Sequence, residues 1–194
     1  MNSDAEAGLR TRLVDVGVEL VAAEGAQALT LREIARRAGV SHGAPRRYFP
    51  THLELLSAIA RRGFDALAQQ AAAALVDGTA DPRARLTRLS RTYLRFASDN
   101  PGMYELMFRH DLLESGHLGL RETSLPLFGL LTELVGGVRP EADARLVAGA
   151  LWANLHGIAQ LWGWGSLQLA TGVQDFDALL RSALDAHLGP EGGR

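Results

Sequence analysis

The sequence predicts an all-α chain: an N-terminal three-helix domain with a helix-turn-helix, followed by a helical bundle. Three observations predict it. Apolar residues recur at i, i+3, i+4 and i+7 in segment after segment, with no alternating strand pattern of useful length. Residues 30–56, TLREIARRAGVSHGAPRRYFPTHLELL, read as two helices around a tight glycine turn, running into a third. From Leu146 to Gln174 no Asp, Glu, Lys or Arg occurs, as expected of a helix buried on all sides in a core and a subunit interface.

Each element has its own signals. Ser3-x-x-Glu6 is a capping box, Leu9, Leu13, Val16 and Leu20 follow at helical spacing, and Gly25 stops the first helix. Thr30 and Glu33 form a second capping box, with Leu31, Ile34, Ala35 and Ala38 as the stripe behind it. Gly39 falls where a helix end takes a left-handed residue, Val40 plugs the corner, and Ser41 caps the short third helix. Pro45 lacks an N–H and fits only the first turn, so that helix is expected to begin near Ser41 or His42.

A fourth helix is expected from Thr51 to Leu75 and a fifth from Pro82 to Ser98, separated by breaks at Asp77, Gly78 and Asp81-Pro82. Asn100-Pro101-Gly102 is a turn, Met103 to Arg109 a short apolar helix, and Ser115-Gly116 with Gly119 a loose connection. Glu122 to Val135 reads as a helix ended by Gly136-Gly137. Pro140 is expected in the first turn of the long apolar helix. Asp175 is expected to cap the last helix, with Phe176, Leu179, Leu180, Ala183, Leu184 and Leu188 as its stripe, before a frayed GPEGGR tail.

Composition excludes several classes. The 194 residues are 47% hydrophobic, enough for a sizeable core, and cysteine is absent, which removes disulfides and thiolate metal sites. MNSDAEAGLR has no apolar run and is no signal peptide, so a cytoplasmic protein is expected. The uncharged run 146–174 is long enough to span a bilayer. Asn154, His156, Gln160, Gln168 and several glycines interrupt it, and no basic cluster flanks it, so no membrane partner is expected. For an enzyme, Glu114-x-x-His117 resembles one half of a di-iron motif, but such sites need two copies. No nucleophile triad, phosphate loop or metal set is present either; no catalytic residue, metal or cofactor is expected.

Charge points to nucleic acid. Residues 30–62 hold seven arginines against Glu33 and Glu54, a local net of +5 in a chain of net −2. Concentrated basic charge on a helix-turn-helix is the electrostatic footprint of a DNA face. The second of its helices enters the major groove. The residues expected at duplex DNA are Thr30, Arg32, Ser41, His42, Ala44, Arg46, Arg47, Tyr48 and His52.

This layout resembles the TetR family of bacterial transcriptional regulators. The residues that carry the resemblance are Val40-Ser41-His42-Gly43-Ala44, then Arg47-Tyr48-Phe49 and a leucine-rich fourth helix, within about residues 9–62. His52 stands where the family has Lys, Pro45 replaces an aliphatic residue, Arg46 replaces a Tyr, and Tyr48 replaces a His. DNA contact survives these changes, since Arg can bind phosphate or guanine and Tyr can donate to phosphate; base preference does not carry over. Leu151-Trp152 with Leu155-His156-Gly157 looks like the Trp-His-Gly class of TetR C-terminal domain.

The resemblance implies a reading domain at 1–52 and a ligand-binding and dimerisation domain at 53–194. It implies a homodimer on an inverted-repeat operator, with half-site centres about 34–36 Å apart. Gly149, Ala150, Ala153 and Gly157 would allow close subunit approach, and Leu180 and Leu184 would fill the seam. A small-molecule effector would bind a mainly apolar pocket, with Tyr93, Phe96, Met103, Met107, Phe108, Trp152 and His156 as candidates. The expected function is a repressor released by that effector; a ligand-dependent activator or dual regulator is the alternative.

Overall fold

The computed structural model describes residues 2–76, 80–114 and 119–190, with the side chains of residues 2–6 and of Glu114 left out. The Ser3–Glu6 box, the Asp77-Gly78 break, the Ser115-Gly116 connection, the Glu114–His117 pair and tail residues 191–194 lie outside these described residues or side chains. Within them the chain is helical, and two compact units emerge. Unit 1 is 1–66 with 100–123; unit 2 is 67–99 with 124–194. Contacts therefore group the chain differently from a single cut at 52/53.

Unit 1 begins with α1 (Asn2–Glu24), which Gly25 ends, and a 3-10 turn at Ala26–Ala28. Helix α2 (Leu31–Arg37) is capped by Thr30, whose hydroxyl accepts from the Glu33 amide at 3.2 Å. The reciprocal half of the box is missing. Thr30 donates its own N–H to the Ala28 carbonyl at 2.8 Å, and the Glu33 carboxylate turns to Arg36 and Arg37. The helix ends as expected: Gly39 is left-handed at φ +65°, donates to the Arg36 carbonyl, and lets the Val40 N–H reach the Ala35 carbonyl at 3.0 Å.

Helix α3 is shorter than the sequence implied. It spans Pro45–Tyr48, with Pro45 at its first position. Ser41 to Ala44 form a preceding turn, closed by the Ala44 amide on the Ser41 carbonyl at 2.9 Å, so Ser41 does not cap the helix. Helix α4 (His52–Val76) follows, with the Thr51 hydroxyl accepting from the Glu54 amide at 3.1 Å.

The core of unit 1 joins Leu13 and Leu20 of α1, Ile34 of α2, Phe49, and Leu55, Leu56, Ile59 and Phe64 of α4. To it belong α6 (Pro101–Met107) and α7 (His110–Glu114). Met103, Tyr104, Leu106 and Met107 of α6 are buried. The fit is close. A Cβ on Gly63 would lie 2.6 Å from the Met107 sulfur, and one on Gly102 would lie 2.6 Å from the Val21 carbonyl oxygen.

Unit 2 holds α5 (Pro82–Asp99), most of α8 (Leu120–Val138), α9 (Ala144–Gly163), α10 (Ser166–Thr171) and α11 (Asp177–Leu188). Helix α5 packs on α9 and α11 around Leu86, Leu94, Leu151, Leu155, Leu180 and Leu184. Each such leucine contributes about 1.5–3 kcal/mol of burial. Arg83–Asp185 at 2.5 Å and Arg91–Asp177 at 2.8 Å tie α5 to α11.

Three expected boundaries move. Helix α8 continues through Gly136-Gly137 to Val138. Pro140 lies before α9, which starts at Ala144 because the Asp143 carboxylate accepts from the Arg145 and Leu146 amides at 3.0 and 3.1 Å. Asp175 holds the Asp177 amide at 2.8 Å from one position outside the cap, which is Phe176. The uncharged run breaks at Trp164 and left-handed Gly165, and no described helix is long and apolar enough to cross a membrane.

Candidate nucleic-acid interface and effector region

The arginines of the helix-turn-helix divide into two sets. Arg36 and Arg37 are engaged: Glu33 Oε1 lies 2.6 Å from Arg36 Nη2 and 2.7 Å from Arg37 Nε, and Arg37 also pairs with Glu24. Hydrogen bonds from Arg36 and Arg37 lower the Glu33 pKa to about 2. Arg32, Arg46 and Arg47 are exposed, and no carboxylate of the described residues pairs with them. Glu33 is already subtracted in the +5 of this stretch; Glu24, outside it, offsets one charge more on α2, Asp15 pairs with Arg62, and exposed positive charge remains on Arg32 and on α3.

The other expected DNA residues fall around α3. His42 and Ser41 are exposed in the turn before it, Ala44 and Tyr48 are half-buried, and Pro45 is buried beneath. Phe49 anchors the end of α3 in the core, and the Arg10 guanidinium stands 4.8 Å above its ring. Thr30 is exposed, with its hydroxyl committed to the α2 cap. His52 has a role inside the protein: its Nε2 lies 2.6 Å from the Leu29 carbonyl, which fastens the start of α4 to the loop before α2. Sequence reasoning missed this tie, since no spacing links positions 29 and 52.

The expected effector residues are divided between the units. Met103 and Met107 are core residues of unit 1 above Gly63, and Phe108 meets Phe64 and Tyr104 at ring separations of 5.7 and 4.9 Å. Their apolar stripe is the inside of this unit. In unit 2, Tyr93 Oη lies 2.9 Å from His156 Nδ1. Trp152 meets His156 edge-on at 6.1 Å and Phe128 at 6.2 Å. Burial lowers the His156 pKa, which favours the neutral ring. Phe96, the remaining candidate, is buried. Phe128 was not foreseen; it lies on α8, where the reading stopped at helix boundaries.

The expected subunit seam is also altered. Leu180 and Leu184 are 0% and 3% exposed inside unit 2, so they cannot fill a seam. Ala150 and Ala153 are exposed, and Gly149 and Gly157 half-buried, on the side of α9 opposite Leu151, Leu155 and Ile158. Leu146 and Trp164, each 71% exposed, extend that outer face.

A capped helix-turn-helix with an exposed arginine-bearing second helix, followed by a separate helical unit, defines a DNA-binding transcriptional regulator. The chain belongs to the TetR family. Residues 13–59 match the bacterial regulatory proteins of the tetR family, and residues 86–187 match the tetracyclin repressor-like C-terminal domain. That match neither names nor excludes the Trp-His-Gly class expected from Trp152, His156 and Gly157. The HTH-type transcriptional regulator BetI of Rhizobium meliloti is 37% identical over 189 residues, 94% of this chain and 91% of that protein. The HTH-type transcriptional repressor KstR of Mycolicibacterium smegmatis is 33% identical over 110 residues, 56% of this chain and about half (53%) of its own length. A solved structure from Rhodococcus sp. RHA1, of unknown function, superposes with a TM-score of 0.79 at 27% identity, covering 93% of each chain.

Proposed function

We propose that this regulator is a repressor: a homodimer that binds an inverted-repeat operator and is released by a small, mainly apolar effector. The observation that carries the DNA half is the exposed Arg32, Arg46 and Arg47 surface, which no described carboxylate neutralises. Phosphate oxygens of duplex DNA are its natural counter-charge. Arg47 and Tyr48 are the residues we assign to the groove.

The outer face of α9 supports the dimer. Leu146, Ala150, Ala153, Gly157 and Leu161 recur every three to four residues there, without a charge among them. A second copy of the same face is its self-complementary partner under two-fold symmetry. The repressor sign follows the similarity to the transcriptional repressor KstR, and a regulator of this kind acts where its operator lies, in the cytoplasm. An effector that prefers the DNA-incompetent state would shift the population away from the operator.

Selection of random duplex DNA by the purified protein at near-physiological salt tests this reading. The expected result is an enriched inverted repeat whose binding weakens steeply with salt. A folded protein that enriches no motif, or only an asymmetric single site, would reject it.

A further inference from the structure

Helix α1 brings an arginine to the reading head from outside the 30–62 stretch. The Arg10 guanidinium lies over the Phe49 ring, 4.8 Å from its centre. Phe49 is 1% exposed and follows Tyr48, the last residue of α3; its amide closes that helix on the Pro45 carbonyl at 2.8 Å. Arg10 itself is exposed. A positive charge is thus laid on the surface at the end of the helix that carries Arg46 and Arg47.

The contact places this charge without neutralising it. An aromatic face attracts a guanidinium and restricts a long side chain, but the ring has no net charge. No carboxylate of the described residues pairs with Arg10, and no described acceptor takes its N–H donors. Arg12, on the other side of α1, is placed differently: it lines a surface groove together with Asp15 and Glu19. A guanidinium that is held, exposed and uncompensated is pre-organised for an anion, and its fork of donors matches phosphate. With α3 in the major groove, the end of that helix lies toward the edge of the groove, where the phosphates run.

We propose that Arg10 binds a backbone phosphate beside the groove that α3 enters, and that Phe49 holds its guanidinium in place for that contact. Such a contact carries no base information, so it strengthens binding to every duplex alike. This inference deepens the DNA-binding reading and rests on it.

Fluorescence anisotropy of the full-length protein at several salt concentrations tests the assignment on two duplexes, the selected operator and one of random sequence. Arg10→Met keeps an apolar stem over Phe49 and removes the charge, whereas Arg10→Lys keeps a charge. Arg10→Met is expected to weaken both duplexes by a similar factor, about tenfold. Its salt dependence should become shallower by about one counterion for each reading head, while Arg10→Lys keeps that of the parent. Replacing operator phosphates one at a time by uncharged methylphosphonate is expected to reveal a position in each half-site that weakens the parent but not Arg10→Met. Unchanged affinity and salt dependence in Arg10→Met overturn the proposal and leave Arg10 as a cover for Phe49. A loss confined to the operator overturns it as well, since it would mark a base contact. So does a loss of affinity with the salt dependence unchanged, the sign of a smaller folded fraction. Full affinity in Arg10→Met beside a weakened Arg47→Ala rejects this contact alone; a parent protein that binds neither duplex rejects the DNA reading and the contact with it.

Discussion

Gly102, in the first turn of α6, faces the carbonyl oxygen of Val21 near the end of α1 so closely that a Cβ would stand 2.6 Å from that oxygen. The next atom it would meet is the Gly25 Cα at 3.0 Å. Both are backbone atoms, which cannot swing aside as a flexible side chain can. Gly102→Ala is therefore expected to cost about 1–3 kcal/mol of stability, the usual range for overpacking. Thermal or urea unfolding checks it; an unchanged midpoint would show that α6 can shift without loss.

Gly157 on α9 is the opposite case, with nothing within 4 Å of an added Cβ. Within one chain, Gly157→Ala would favour the helix by up to about 1 kcal/mol. At a subunit seam the same methyl obstructs close approach. Gly157→Ala and Ala153→Glu are both expected to weaken self-association, the charged variant more strongly. Sedimentation equilibrium across a dilution series reads this directly. Unaltered association in both would move the interface off α9.

Arg47→Ala and Tyr48→Phe are expected to weaken operator binding while leaving the melting temperature within about 2 °C, since surface changes seldom exceed 0.5 kcal/mol. For Arg47→Ala the salt dependence should also become shallower by about one counterion. Fluorescence anisotropy with labelled duplex at several salt concentrations separates the two effects. Full affinity in both variants at moderate salt would remove α3 from the interface.

His156 gives the protein an acid-sensitive component. Burial holds its pKa below the ordinary value of 6.5, so the unfolded chain takes up a proton before the folded chain does. Stability from this group is present above pH 6.5 and falls as the pH drops through the window beneath it. His156→Gln is expected to lose less stability than the parent protein between pH 7 and pH 5. Parallel unfolding curves for the two proteins across that range would contradict this.

Asp143→Ala removes the carboxylate that accepts from two amides at the start of α9. A loss of about 1 kcal/mol is expected, against no measurable change for Pro140→Ala, which lies outside the helix. Paired denaturation curves decide between the two residues as the start signal.

Local chemistry made the reading head legible. Thr30 capping α2, Gly39 ending it and Pro45 in the first turn of α3 are each fixed by their immediate neighbours, and each is found. What the sequence hid depends on distant neighbours. A stripe such as Met103, Met107 and Phe108 declares a buried face but not the surface that covers it, which here is Gly63 and Phe64. Leu180 and Leu184 failed as seam residues for the same reason: periodicity cannot distinguish the inside of one chain from the junction of two. The two glycines after Val135 misled because a stretch held by Leu131, Leu134 and Val135 stays helical past residues that would fray alone.

The joining of residues 100–123 to residues 1–66 limits how such a protein can be recombined. A reading head cut from this chain as a continuous N-terminal cassette leaves behind Met103, Leu106 and Met107, and with them part of its interior. Chimeras that exchange a whole unit between relatives must therefore carry two separate stretches of gene; under the proposed reading of α3, the exchange can instead be confined to its exposed side chains. The second route leaves every buried residue in place, and drift among regulators of this build can follow it one codon at a time.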